Sequence, residues 1–297
     1  MLEEQLSYGS ARGRSRGFRT VFGVDFSGAR LAGKTTWVAR ADAGERRGDV
    51  LRLVQVSSLE RLAGRAERAP ALAYLVRLIR ESRDALWAID APFGLPVEVL
   101  DDGQTWRGLL RFLAAWTRDG YDLGLWALER AKALGGPNHI RRATDHETKA
   151  PFDPYHYRII YQTFHGMRDV LLPLTRVRET AILPFQYRRL TSARRVVVEA
   201  CPASTLKRLG LPHQNYKQPA GGPLTRKRRR VRRAIIDGLA PLVEIGDAHR
   251  RRIMRDPGGD ALDAVIAAVG AAHRWHTADH ATIAANRRVV REGFLYA

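Results

Sequence analysis

Thr20-Val-Phe-Gly-Val-Asp-Phe26 is an apolar, partly β-branched run with one carboxylate inside it. Side chains of this kind suit a pleated, half-buried surface, so the run reads as a strand. An unpaired buried carboxylate is costly, so Asp25 needs a partner or a metal. Two further strand-like stretches follow. Lys34-Thr-Thr-Trp-Val-Ala-Arg40 is rich in β-branched and aromatic residues. Val50-Leu-Arg-Leu-Val-Gln-Val56 alternates apolar and polar positions, as a half-buried strand does. Gly28, Gly33, Gly44 and Gly48 lie in the links, which suits hairpins.

Working outward, Ser57 and Glu60 form a capping-box pair ahead of the next helical stretch. Leu72, Leu75, Val76 and Ile79 recur at helical spacing, which predicts a helix over 70–83. Ala85-Leu-Trp-Ala-Ile89 is a short buried strand that runs into Asp90-Ala-Pro-Phe-Gly-Leu-Pro96, where regular structure stops. Residues 97–190 are rich in Trp, Tyr, His and Arg and read as a helical insertion. Arg194–Val198 is a further strand that ends in Glu199, Arg226–Leu242 and Pro257–Arg274 are helices, and Gly293–Ala297 is a terminal strand. Residues 1–18 read as a flexible basic tail and 19–297 as one domain. The order of elements predicts an α/β fold, a mixed β-sheet flanked by helices.

Composition narrows the function classes. The chain has 297 residues, 50 Lys plus Arg against 31 Asp plus Glu, and a formal charge of +19. Its 45% hydrophobic content is that of a globular protein, not a disordered one. The longest run without a formal charge, Ala264–His273, is far short of the ~20 residues that span a bilayer, so no membrane partner is expected. The N-terminus lacks the apolar core of a secretory signal, and the single Cys201 excludes an internal disulfide, so a cytoplasmic protein is expected. The positive excess points to a polyanionic partner such as DNA or RNA. Only six of the 50 cations are Lys, so Arg-rich coding accounts for part of it equally well.

Against that excess, the placing of the acids is informative. Asp25 lies in the first strand, Asp90 at the end of LWAID and Glu199 at the end of VVVE. A salt bridge to arginine explains any one of them; three at strand ends point to a shared site. The fourth element is Gly258-Gly-Asp-Ala-Leu-Asp-Ala-Val-Ile-Ala-Ala268. On a helix, Leu262, Val265, Ile266 and Val269 make one apolar stripe. Asp263 then lies about 100° and Asp260 about 160° from its centre. Asp263 is at the edge of the buried face, able to meet the strand-end acids, whereas Asp260 suits an exposed first turn. Carboxylates converging from strands and a helix suit divalent cations such as Mg²⁺ or Mn²⁺. Two such ions ~4 Å apart can drive phosphodiester cleavage.

GVDFSGA, IDAPFGLP, VVVEACPASTLKRLGLPHQNYK, GGDALDAVIAAVGAA and EGFLY, in that order, resemble the signature of domain-of-unknown-function family 429. The resemblance runs from Val21 to Tyr296. It implies an RNase H-like fold and a nuclease activity, with Asp25, Asp90, Glu199 and Asp263 as catalytic residues. By the same resemblance Asp25, Asp90, Asp260 and Asp263 would hold Mg²⁺ or Mn²⁺. The last helix is also similar to that of RuvC-type resolvases, where two aspartates three apart precede a small-apolar run.

Other segments compete for a role. Gly28-Ala-Arg-Leu-Ala-Gly-Lys-Thr35 fits the phosphate-loop pattern in every position, so an ATP-dependent enzyme, of the P-loop or the actin and sugar-kinase type, is an alternative. The Thr-Thr-Trp-Val after Gly33 favours a strand where a P-loop needs a helix. Arg226, Lys227, Arg228, Arg229, Arg230, Arg232 and Arg233 put seven cations in eight positions. They suit a phosphate backbone, and a non-catalytic nucleic-acid-binding module is the third reading. Lys149 is a candidate phosphate contact. His273, His276 and His280 read as surface residues, and Cys201 as a small packed residue.

Overall fold

In the computed structural model, which describes residues 17–44, 49–218 and 221–297, the strands form one seven-stranded sheet. They are β1 (Thr20–Asp25), β2 (Trp37–Asp42), β3 (Leu51–Ser58), β4 (Ala85–Asp90), β5 (Thr180–Ile182), β6 (Arg195–Glu199) and β7 (Val243–Glu244). The order across the sheet is β5-β6-β4-β1-β2-β3-β7. β1, β2 and β3 form an antiparallel meander. β4 lies parallel to β1, and β6 parallel to β4. This is the mixed α/β sheet expected from the sequence, and its order is compatible with an RNase H-like fold. Residues 1–16 of the expected tail lie outside the described residues.

Side chains alternate across the strands and separate two cores. Val21 of β1, Leu86 and Ala88 of β4, and Val196 and Val198 of β6 pack with the long Asp260–Thr277 helix. Phe22, Val24, Trp87, Ile89 and Val197 pack on the other face with the Arg68–Glu81 helix and the insertion. Phe22 and Trp87 are register partners and stack with centroids 3.9 Å apart.

Several local expectations are corrected. β2 begins at Trp37, not Lys34, because Ala32–Thr35 closes a single helical turn. That turn is set by tertiary contacts. The Gly33 amide donates to the Ala66 carbonyl at 2.8 Å, and the Thr36 hydroxyl accepts from the Ser27 amide at 3.1 Å. Ser57 stays in β3, Ser58 is the N-cap of the Leu59–Ala63 helix, and no side chain caps it. The insertion is helical over Trp106–Ala115, Gly120–Ala133, Ala143–Glu147 and Ile160–His165, but it also supplies the edge strand β5. The C-terminal stretch makes only an isolated bridge, Leu295 to Glu199. Among the described residues no helix is long and apolar enough to cross a membrane.

Candidate functional site

Asp25 and Asp90 end two adjacent parallel strands and are register partners, so their carboxylates stand side by side on the face covered by the Asp260–Thr277 helix. That helix crosses β1 at Gly23. A Cβ there would collide with the Ala264 carbonyl and the Ala268 amide, so only glycine admits the helix this close. The residue before Ala264 is Asp263, 2% exposed in the first turn. Asp25, Asp90 and Asp263 together line a cavity of about 520 Å³. All four acids singled out as catalytic line this cavity, Glu199 included, and the sheet register and the helix contact set Asp25, Asp90 and Asp263 on one face.

Two residues that the sequence reading left without a role complete this cluster. The Tyr216 hydroxyl donates to Asp263 Oδ1 at 2.7 Å, and the Lys217 ammonium pairs with Asp263 Oδ2. Burial pushes the Asp25 carboxyl well above the usual carboxylate range; Lys217 opposes the shift, and Asp263, Asp260 and Asp90 add to it. Burial, with Asp263, pushes Asp90 up to about 8, again against Lys217. Burial acts to lower the Lys217 pKa, but Asp263, Tyr216 and Asp25 together outweigh it and hold the ammonium well above its ordinary value. One signal was available: Lys217 is one of six lysines in a chain whose cations are otherwise arginine.

Glu199 is placed differently. Its register partner is Ile89, so it points to the face opposite Asp25 and Asp90. There the buried Arg142 guanidinium grips both its oxygens, with Nη1 donating to Oε2 at 2.8 Å and Nη2 to Oε1. The Phe93 amide also donates to Oε2, at 2.9 Å. Arg142 spends its remaining donors on Asp145 and the Glu292 carbonyl. With both oxygens occupied, Glu199 braces the insertion against the sheet; it also lines the cavity shared by Asp25, Asp90 and Asp263, and its charge adds to the rise of the Asp90 pKa. Asp260 is half-buried outside the cavity lining, and burial, with Asp256, raises it to about 6.

The basic candidates divide along the Arg226–Gly238 helix. Arg226, Lys227, Arg229, Arg230 and Arg233 are exposed. Arg228 lines the acid cavity, and its Nε is buried without a partner. Arg232 is fully buried and donates to the carbonyls of Tyr216, Ile253, Asp256 and Pro257. It fixes loops and cannot meet a phosphate, a correction to its expected role. Lys149 lines a separate pocket with Lys207, Arg208 and Arg274. Cys201 lines the cavity, but burial, with Asp90, pushes its thiol up to about 12, which leaves it neutral. His273 meets Arg208, and His280 is not a free surface residue, since it lies between Tyr296 and the Trp275 carbonyl.

Gly28–Thr35 joins two antiparallel strands, whereas a P-loop leads from a strand into a helix that crosses to a parallel strand. Its Gly33 and Lys34 amides donate to Ala66 and Leu31 carbonyls, and Gly28 lies against the Tyr161 backbone. These amides are spent within the protein.

Among the described residues no group of three or more His, Cys, Asp and Glu is gathered to hold a metal ion. Asp25 and Asp90 nevertheless suit one divalent cation. They are adjacent and share a cavity, and Lys217 is the opposing charge that lowers the pKa of both. Mg²⁺ commonly binds through one or two carboxylates and keeps substrate oxygens in the remaining positions.

In comparisons with known proteins, the family model described as "Protein of unknown function (DUF429)" matches residues 176–287. The resemblance read from the sequence therefore holds over β5, β6, β7 and the whole Asp260–Thr277 helix. No curated protein and no solved structure is significantly similar to the chain.

Proposed function

We propose, from the match to the DUF429 family as a premise, that this protein is a divalent-cation-dependent hydrolase that cleaves phosphodiester bonds of nucleic acid in the cytoplasm. The observation that carries the reading is the pairing of Asp25 and Asp90 at adjacent strand ends beneath Asp263, inside one cavity. Mg²⁺ or Mn²⁺ held by Asp25 and Asp90 would stabilise the negative charge that develops on a phosphoryl oxygen. The chain's own residues do the rest. Arg228 and Lys217 line the same cavity and attract the phosphate. Asp263 and Tyr216 orient the Lys217 ammonium and its loop. The surrounding +19 charge favours a polyanion over a small neutral substrate.

The test is cleavage of end-labelled single- and double-stranded DNA and RNA in Mg²⁺ or Mn²⁺. The native protein should cleave at least one of the four. Asp25→Asn should lower the rate at least ~100-fold and leave the circular dichroism spectrum unchanged. No cleavage by the native protein, or undiminished cleavage by Asp25→Asn, sinks the assignment.

A further inference from the structure

We infer that the Lys217 ammonium permanently fills one of the two cation positions of the acid cluster, so that the site takes a single divalent cation, at Asp25 and Asp90. The inference rests on the cation-dependent reading above and replaces its expected pair of ions with one ion and one lysine.

Three observations carry it. Both Asp263 oxygens already have a partner, the Tyr216 hydroxyl at Oδ1 and the Lys217 ammonium at Oδ2. Asp25 and Asp90 line the cavity side by side, as register partners at adjacent strand ends. The position of Lys217 is also built rather than incidental. Buried Arg232 donates twice to the Tyr216 carbonyl, from Nε at 3.1 Å and Nη2 at 2.6 Å, and once to the Pro257 carbonyl at 3.2 Å. The Gln218 amide donates to the same Pro257 carbonyl at 2.8 Å. The backbone on both sides of Lys217 is therefore tied to the segment that starts the helix bearing Asp263. Gly259, at φ +87°, completes the seat, because a Cβ there would come within 3.0 Å of Lys217 Cγ.

Formal charge gives the same stoichiometry. The cavity is lined by five carboxylates (Asp25, Asp90, Asp145, Glu199 and Asp263) and three cations (Arg142, Lys217 and Arg228), which leave −2, and one divalent cation neutralises that. Two such ions would leave +2 beside the buried Asp25 and Asp263, an arrangement that desolvation penalises. Without the lysine, the same lining and two ions leave only +1.

The experiment counts ions on the full chain by titrating Mn²⁺ and reading free Mn²⁺ by electron paramagnetic resonance. The native protein should bind one Mn²⁺, Asp25→Asn at least tenfold more weakly. Lys217→Met should gain a second site, and Lys217→Arg should stay at one. Thermal melting in metal-free buffer checks that Lys217→Met folds, and Lys217→Gln replaces it if it does not. Two ions or none on the native protein, or no gain in either neutral variant, overturns the inference. Cleavage is scored separately. One bound Mn²⁺ without cleavage keeps this inference and removes the proposed reaction, and cleavage with two bound ions does the reverse.

Discussion

Arg142 offers five N–H donors, and all five are used, on Glu199, Asp145 and the Glu292 carbonyl. The side chains of this ion triad are at most 2% exposed. Removing the shared cation would strand two buried carboxylates, whereas neutralising one acid leaves the arginine its other partner. Breaking a buried pair from one side costs about 3–5 kcal/mol, much of it the isolated charge. Arg142→Met should therefore lose that much in urea unfolding at pH 7. Glu199→Gln should lose about 1–3 kcal/mol, the scale of a charged hydrogen bond. An equal or smaller loss in Arg142→Met would show that the triad does not brace the insertion. At this scale the sequence was legible on one side only. A Glu ending VVVE had to be buried, but nothing distinguished Arg142 among so many arginines, and a fully apolar strand does not reveal which face its last residue takes.

The elements were legible where local pattern and tertiary need agree. The alternation in Val50–Val56, the apolar β1 and β4, and the helical spacing over 70–83 all appear close to their expected bounds. Expectation failed where distant contacts decided the backbone. Gly33 and Thr36 turn Ala32–Thr35 into a helix through Ala66 and Ser27, and three residues of an aromatic insertion pair with β6 as β5. The contact that sets the candidate site lies between elements, at Gly23. Any side chain there must push the Asp260–Thr277 helix off β1, because the colliding atoms are backbone. Gly23→Ala should cost at least 1–3 kcal/mol, as overpacked cores do. Since Asp263 rides on the displaced turn, the variant should also loosen the Asp263–Lys217 pair. Gly136→Ala, which meets nothing within 4 Å, is the control. A Gly23→Ala protein as stable as that control would mean the close approach is not what seats Asp263.

At the scale of the whole molecule, the positive excess acquires a direction. On the Arg226–Gly238 helix, Arg228, Arg232, Ile235 and Ile236 fall on one inward stripe, at the i, i+4, i+7 spacing of a helix face. A run of seven cations hid that stripe from sequence reading, because the inward and outward residues are the same type. The outward set, Arg226, Lys227, Arg229, Arg230 and Arg233, stands next to Arg228, which opens on the acid cavity. A phosphate backbone laid along this face would therefore continue into the site. Each phosphate so neutralised adds roughly 0.9 to the slope of log K against log salt for duplex DNA, and roughly 0.7 for single strands. Replacing Arg226, Lys227, Arg230 and Arg233 with Gln should reduce that slope by about 2–4, as read by fluorescence anisotropy between 50 and 300 mM KCl. Arg232→Gln behaves differently if its carbonyl bonds matter more than its charge. It should lower the melting temperature and release the Tyr216–Lys217 loop. An unchanged slope in the fourfold variant would mean that the exposed face only keeps the protein soluble, and that nucleic acid reaches the cavity by another path or not at all.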